Sequence, residues 1–169
     1  ASAPAVVCYF LPGQAQGEAV RSVLYGDVNP SGRLPITMPH SEGEIQFSPE
    51  QYPGSAFADG LQTEYSERLE VGYRWYHAHG LHPAFCFGHG LSFTSFNYAN
   101  LTVSTTSAEF VLTNSGDLAG AEIAQLYLTY PTSAGEPPGQ LRGFRKVTLD
   151  PRQEVAVTIP LSPRSFEVW

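Results

Sequence analysis

The chain has 169 residues, of which 42% are apolar, so it can build a buried core. Its net charge is −7, and Lys146 is its only lysine, which argues against a phosphate-binding surface and against a nucleic-acid partner. Charged residues make up only 15%, whereas 16 glycines, 14 prolines and 12% aromatic residues indicate a turn-rich, mainly β protein.

The first 40 residues predict a strand, a helix and a second strand. Residues 6–11 form a continuous apolar run typical of a buried parallel strand, and residues 34–37 predict another. Between them, one helical stripe would end at Gly26; its apolar members are Ala19, Val20, Val23 and Leu24. We interpret residues 1–40 as the tail of an α/β layer. The apolar run is too short to span a bilayer, so no membrane partner is expected.

Residues 41–90 carry little periodicity and are rich in Gly, Pro, Tyr and His. We expect an ordered, aromatic-rich linker here, held by aromatic burial rather than by regular secondary structure. A connection of this length is acceptable if it crosses between two domains.

Residues 91–169 alternate with a period of two, which predicts a β-sandwich. One apolar face contains Val155, Val157, Ile159 and Leu161. Further faces are predicted at Ala124, Leu126, Leu128 and Tyr130, at Phe110 with Leu112, and at Leu101 with Val103. The expected fold is therefore mixed and mainly β: a strand–helix–strand remnant followed by a sandwich.

Two features bear on the compartment. Cys8 and Cys86 could form one disulfide, although two buried free thiols is the favoured interpretation. Asn100 begins an Asn-Leu-Thr glycosylation sequon, which supports a secreted or extracytoplasmic location.

Long blocks of this sequence resemble glycoside hydrolase family 3. The blocks lie at residues 13–19, 24–35, 65–76, 87–96, 114–116 with 120–127, and 141–147, and together they span nearly the whole chain. The resemblance implies the end of the second, α/β domain, a linker, and a fibronectin type III-like sandwich. Family members with these blocks are mostly β-glucosidases and β-xylosidases.

The family resemblance also implies a function. Family 3 enzymes use a retaining mechanism with an Asp nucleophile and a Glu acid/base, and both positions lie upstream of residue 1. We therefore expect no catalytic residue and no cofactor here, but a structural portion that braces the barrel and α/β domains of the same enzyme. After residues 162–169 the family continues with one or two more strands, whose absence would leave an open sheet edge. The alternative is a free-standing carbohydrate-binding or self-associating module that dimerises through that edge.

Several side chains in the linker are candidates for interdomain contacts. Glu67 and Arg74 fit the family block and could form an ion pair that fixes the linker, although they could also be surface charges. The candidate aromatic contacts are Trp75, Tyr76 and Phe87, for which interdomain packing is favoured over sugar stacking. His89 belongs to a family block that has no metal role. The nearby His77, His79 and His82 lack completing ligands, so no metal site is expected.

Glycoside hydrolysis needs two carboxyl groups, and the sequence offers two acidic pairs, Glu42/Glu44 and Glu64/Glu67. Nothing in the sequence distinguishes them from solvated surface charges, so the isolated chain is expected to be inactive.

Overall fold

The structure is a computed structural model, which describes residues 3–168. Within them lie helices α1 (Gln16–Leu24) and α2 (Tyr73–His79), and two short 3-10 helices at Thr132–Ala134 and Pro163–Phe166. The strands are β1 (Ser55–Phe57), β2 (Gly60–Gln62), β3 (Phe96–Val103), β4 (Ser107–Asn114), β5 (Gly120–Leu128), β6 (Gln140–Leu149) and β7 (Glu154–Pro160). The prediction of a mixed, mainly β fold is confirmed.

The second half of the chain forms two antiparallel sheets. One has the strand order β3-β4-β7, and the other pairs β5 with β6. Side chains from both sheets meet in one core, whose buried members are Phe110, Leu112, Ala124, Leu149, Val157 and Ile159. Two sheets packed through one apolar layer make a β-sandwich, as the alternating pattern predicted.

The predicted sandwich faces are correct on β7 and wrong on β3. Val157 and Ile159 are buried, whereas Leu101 and Val103 are 66% and 58% exposed. The register with β4 shifts at a β-bulge between Ala99 and Thr102, after which Val103 pairs with Ala108, a residue buried on the core side. Val103 therefore points to the core side, and it stays exposed because β3 is an edge strand whose end is not covered by the second sheet, β5 with β6.

The N-terminal prediction is correct for the helix and wrong for its flanking strands. α1 ends as expected, with Gly26 at a φ of +80° and its N–H bonded to the Val23 carbonyl. Residues 6–11 have no ladder partner among the described residues, and Leu11 is 98% exposed. A strand needs a neighbour for its backbone groups, and an apolar pattern alone does not supply one. Residues 34–37 are likewise outside any strand.

The linker contains more regular structure than its sequence suggested. β1 and β2 form a small hairpin, and α2 presents Tyr76 to the interior at 5% exposure.

Cys8 and Cys86 are free and exposed, so the interpretation of both as buried thiols is wrong. None of the helices within residues 3–168 has the length and apolarity needed to cross a membrane.

Candidate functional site

The first 40 residues join the linker through backbone hydrogen bonds. The Leu34 N–H donates to the His89 carbonyl at 2.8 Å, and the Gly88 N–H returns to the Leu34 carbonyl at 2.7 Å. Further along, Met38 and Phe85 exchange both of their backbone bonds, at 2.9 and 3.1 Å. The two segments run antiparallel and form one continuous seam.

Asn29 ties this seam to the start of the sandwich. Its Oδ1 accepts the Phe93 N–H at 2.8 Å and the Ser92 hydroxyl at 2.9 Å. Its Nδ2 donates to the Ala119 carbonyl, just before β5, at 2.9 Å. One amide thus connects three segments that lie far apart in sequence.

Arg33 makes the strongest charge contact between the N-terminal segment and the sandwich. Its guanidinium donates to Glu122 on β5, and the two side chains are only 11% and 13% exposed. The other Glu122 oxygen accepts the Tyr98 hydroxyl at 3.0 Å. Burial, and next the negative charge of Glu122, raise the pKa of Tyr98, so its hydroxyl stays a neutral donor. We call Asn29, Arg33, Tyr98 and Glu122 the clamp.

A second polar contact joins the linker to β5. Gln125 Nε2 donates to the Gly88 carbonyl at 3.1 Å, while its Oε1 accepts the Tyr127 hydroxyl at 2.7 Å. Gly88 has a φ of +79°, and a Cβ there would overlap the Gln125 amide. The positive φ therefore favours glycine, and a side chain here would have to displace the Gln125 amide. Burial is the main cause that raises the pKa of Tyr127 to about 12.

α2 docks on the sandwich through its first turn. The Tyr73 ring stacks on Phe87 with 4.9 Å between centroids and meets Tyr127 edge-on at 5.7 Å. Its hydroxyl oxygen accepts the Leu141 N–H at 2.8 Å. Tyr73 is thus the aromatic residue that joins the linker to the sandwich, and the interdomain role expected for Phe87 stays a prediction.

The other face of α2 holds the linker loop. The half-buried Trp75 donates its Nε1–H to the Ile45 carbonyl at 3.1 Å. Its ring lies 5.0 Å from that of Phe47 and 3.8 Å from that of His79. Trp75 therefore fixes a loop to a helix, and its hydrogen bond and ring neighbours favour packing over sugar stacking.

The expected ion pair between Glu67 and Arg74 is not formed in the part of the chain that the structure describes. Glu67 instead accepts a hydrogen bond from Gln51 Nε2 at 3.3 Å, and the Arg74 guanidinium lies over the Tyr73 ring at 5.8 Å. His89 is exposed, and its backbone rather than its imidazole joins the seam.

Glu44 and His40 form a local hydrogen-bonded contact, which we call the clip. One of the Glu44 oxygens accepts the His40 backbone N–H at 2.8 Å and faces His40 Nδ1 at 2.9 Å. The His40 N–H is the largest cause that lowers the pKa of Glu44. A general acid needs the opposite shift, so this carboxylate does not have the electrostatics of a glycosidase acid.

Metal ligation has no support from the side-chain arrangement. Within residues 3–168, no three His, Cys, Asp or Glu side chains come together in a way that could hold an ion. His79 Nε2 lies 3.0 Å from a Glu70 oxygen, and no third ligand joins this pair.

A cleft of about 760 Å³ lies between the seam and strands β3 and β5. Arg33, Tyr98 and Glu122 line it, and so do Gln125 and Tyr127. These polar groups hydrogen-bond to one another or to backbone, so the cleft presents satisfied contacts and not an assembled catalytic centre.

Sequence reasoning had not assigned roles to the clamp residues or to Gln125. The available signal was their position: Asn29 and Arg33 lie in one family block, and Glu122 and Gln125 in another. The partners of Asn29 and Arg33 lie 90 and 89 positions away and give no local pattern, so only the blocks could have pointed to these residues. Tyr98 lies outside the blocks and had no such signal.

Comparison with known proteins places this geometry in a family. Residues 1–93 match the family model for the glycosyl hydrolase family 3 C-terminal domain, and residues 122–169 match that for a fibronectin type III-like domain. The chain belongs to glycoside hydrolase family 3.

Relatives from fungi and bacteria agree with this family assignment. A probable beta-glucosidase G of Aspergillus terreus is 35% identical over 98% of this chain, and thermostable beta-glucosidase B of Acetivibrio thermocellus is 39% identical over 95%. The crystal structure of a family 3 beta-glucosidase from Bifidobacterium adolescentis matches 93% of the chain with a TM-score of 0.80 and 33% identity, over 23% of its own length. The chain spans 24% and 22% of the two curated relatives, about a quarter of each.

Proposed function

We propose that this chain is the non-catalytic C-terminal portion of a retaining β-glucosidase- or β-xylosidase-like enzyme. Its role is to brace the barrel and α/β domains that carry the nucleophile and the acid/base. The observation that carries this proposal is that the N-terminal segment has two different sides.

One side of the N-terminal segment is fastened to the sandwich by the clamp. The other side is apolar and bare: α1 has no buried residue, and Leu24 and Tyr25 are 65% and 80% exposed. Leu11 and Val6, before the helix, are 98% and 72% exposed. Several large apolar side chains exposed together in this way are typical of an interface, and the family to which the chain belongs supplies the partner domains.

Replacing the matching segment of a relative with this chain tests the proposal. We would exchange the matching 22% of the A. thermocellus enzyme for this chain and measure release of nitrophenol from an aryl β-glucoside. The chimera is expected to hydrolyse the substrate, whereas the isolated chain and the shortened relative are not. Hydrolysis by the isolated chain, or a shortened relative as active and stable as the chimera, would overturn the proposal.

A matched pair of substitutions locates the interface. Leu24 and Leu101 are equally exposed, at 65% and 66%, but only Leu24 lies on the bare apolar side. Leu24→Asp should abolish the activity of the chimera while leaving the folding of the isolated chain intact. Leu101→Asp should leave both the activity and the folding unchanged. Equal effects of the two changes would argue instead for the free-standing module, whose own test is dimerisation or binding of oligosaccharides by the isolated chain.

A further inference from the structure

We propose that Asn100 is an N-glycosylation acceptor and that its glycan covers the outer edge of β3. The triplet Asn100-Leu101-Thr102 has the required hydroxyl residue and a middle residue other than proline. All three residues are exposed. The other Asn-x-Ser/Thr triplet of the sequence, at residues 29–31, has proline in the middle, and both amide atoms of Asn29 are engaged in the clamp.

The backbone at Asn100 lifts the sequon out of the strand ladder. Ala99 pairs with Val111 and Thr102 pairs with Glu109, so two residues of β3 oppose the single residue Phe110. Asn100 has a φ of +55°, and its side chain makes no hydrogen bond with the described residues. The amide is therefore available, and an attached oligosaccharide would displace no contact of the fold.

The exposed apolar edge of β3 gives a physical reason for a glycan to cover it. β3 is an edge of its sheet among the described residues, and its sequence FNYANLTV has neither a charged residue nor a proline. It exposes Tyr98, Leu101 and Val103 by 51%, 66% and 58%. Edge strands are usually protected by charge, proline or a bulge, and here only the bulge is present. A hydrated glycan at the bulge would block the approach of a second chain to this apolar edge.

Asparagine is also a residue that tolerates a left-handed backbone, so the bulge alone could account for its presence. Measurement of occupancy separates the two explanations. The full chain would be secreted from a eukaryotic host, treated with peptide N-glycosidase, and compared by electrophoresis and peptide mass. We expect a shift that the enzyme removes, leaving aspartate at position 100.

Three variants sharpen the test. Thr102→Ala should lose the glycan and Thr102→Ser should keep it, while Asn100→Gly should lose it and keep the left-handed backbone of the bulge. By sedimentation velocity, Asn100→Gly from the same host should self-associate more strongly than the glycosylated chain as concentration rises. A secreted chain without carbohydrate at Asn100 overturns the acceptor assignment. A glycosylated chain and an Asn100→Gly variant of identical association state overturn the covering role.

Discussion

Removing one partner of the ion pair between Arg33 and Glu122 should destabilise the chain strongly. Arg33→Met leaves a carboxylate that is 13% exposed with the Tyr98 hydroxyl as its only side-chain donor among the described residues. Breaking a buried pair in this way costs about 3–5 kcal/mol. Because both side chains retain some access to water, we expect about 3 kcal/mol, the lower end of that range.

A double-mutant cycle separates the interaction energy of the Arg33–Glu122 pair from the cost of burying its two charges. Arg33→Met combined with Glu122→Leu removes both charges, and such apolar replacements are often near neutral. The double variant should therefore be more stable than Arg33→Met alone, so that the two effects are far from additive. Urea unfolding of each variant, followed by tryptophan fluorescence and circular dichroism, gives the four free energies.

The chain offers a matched control for the buried pair. Arg152 and Asp117 form an ion pair whose side chains are 64% and 86% exposed. Arg152→Met should cost no more than about 1 kcal/mol, as surface pairs do. If Arg33→Met and Arg152→Met lower the free energy of unfolding equally, the clamp does not hold the N-terminal segment to the sandwich.

Three other substitutions test neighbouring contacts. Trp75→Ala should cost about 2–3 kcal/mol, below the usual range for a fully buried ring because this one is half-buried, and Trp75→Phe should recover most of that loss in urea unfolding. Gly88→Ala should cost more than about 1 kcal/mol, since it combines a positive φ with a clash against Gln125; an unchanged melting temperature would contradict that contact. The pKa of Glu44 is lowered by the His40 N–H, so its stabilisation is present above the unfolded pKa and is lost as pH falls through the folded one. Glu44→Gln should therefore flatten the acid side of the stability profile, and an unchanged profile would show that the clip contributes nothing.

The strands of the sandwich were predictable because their pattern is local and strong. On β7, alternate residues from Val155 to Leu161 are apolar, and the buried ones face the shared core. The same pattern on β3 did not give burial: Val103 pairs with the buried Ala108, yet it is 58% exposed because β3 is an edge strand. Periodicity assigns a side chain to a face of the sheet, but it does not show whether another layer covers that face.

α2 was missed because its sequence is a poor helix former on its own. The segment YRWYHAH consists mostly of aromatic and histidine residues, which have only moderate helix propensity, and it is seven residues long. Its stability comes from Tyr73 on the sandwich side and Trp75 on the loop side, both of which are tertiary contacts. A helix that depends on its surroundings cannot be read from its own residues.

The clamp depends on the path of the backbone as well as on its side chains. Asn29 and Arg33 are four positions apart, yet they reach a loop before β5 and a side chain on β5 itself. Both contacts require that the backbone between them keep one path, which the seam fixes through the bonds of Leu34 and Gly88. These contacts therefore fix the position of the N-terminal segment on the sandwich. They also determine where the exposed apolar face of α1 is presented.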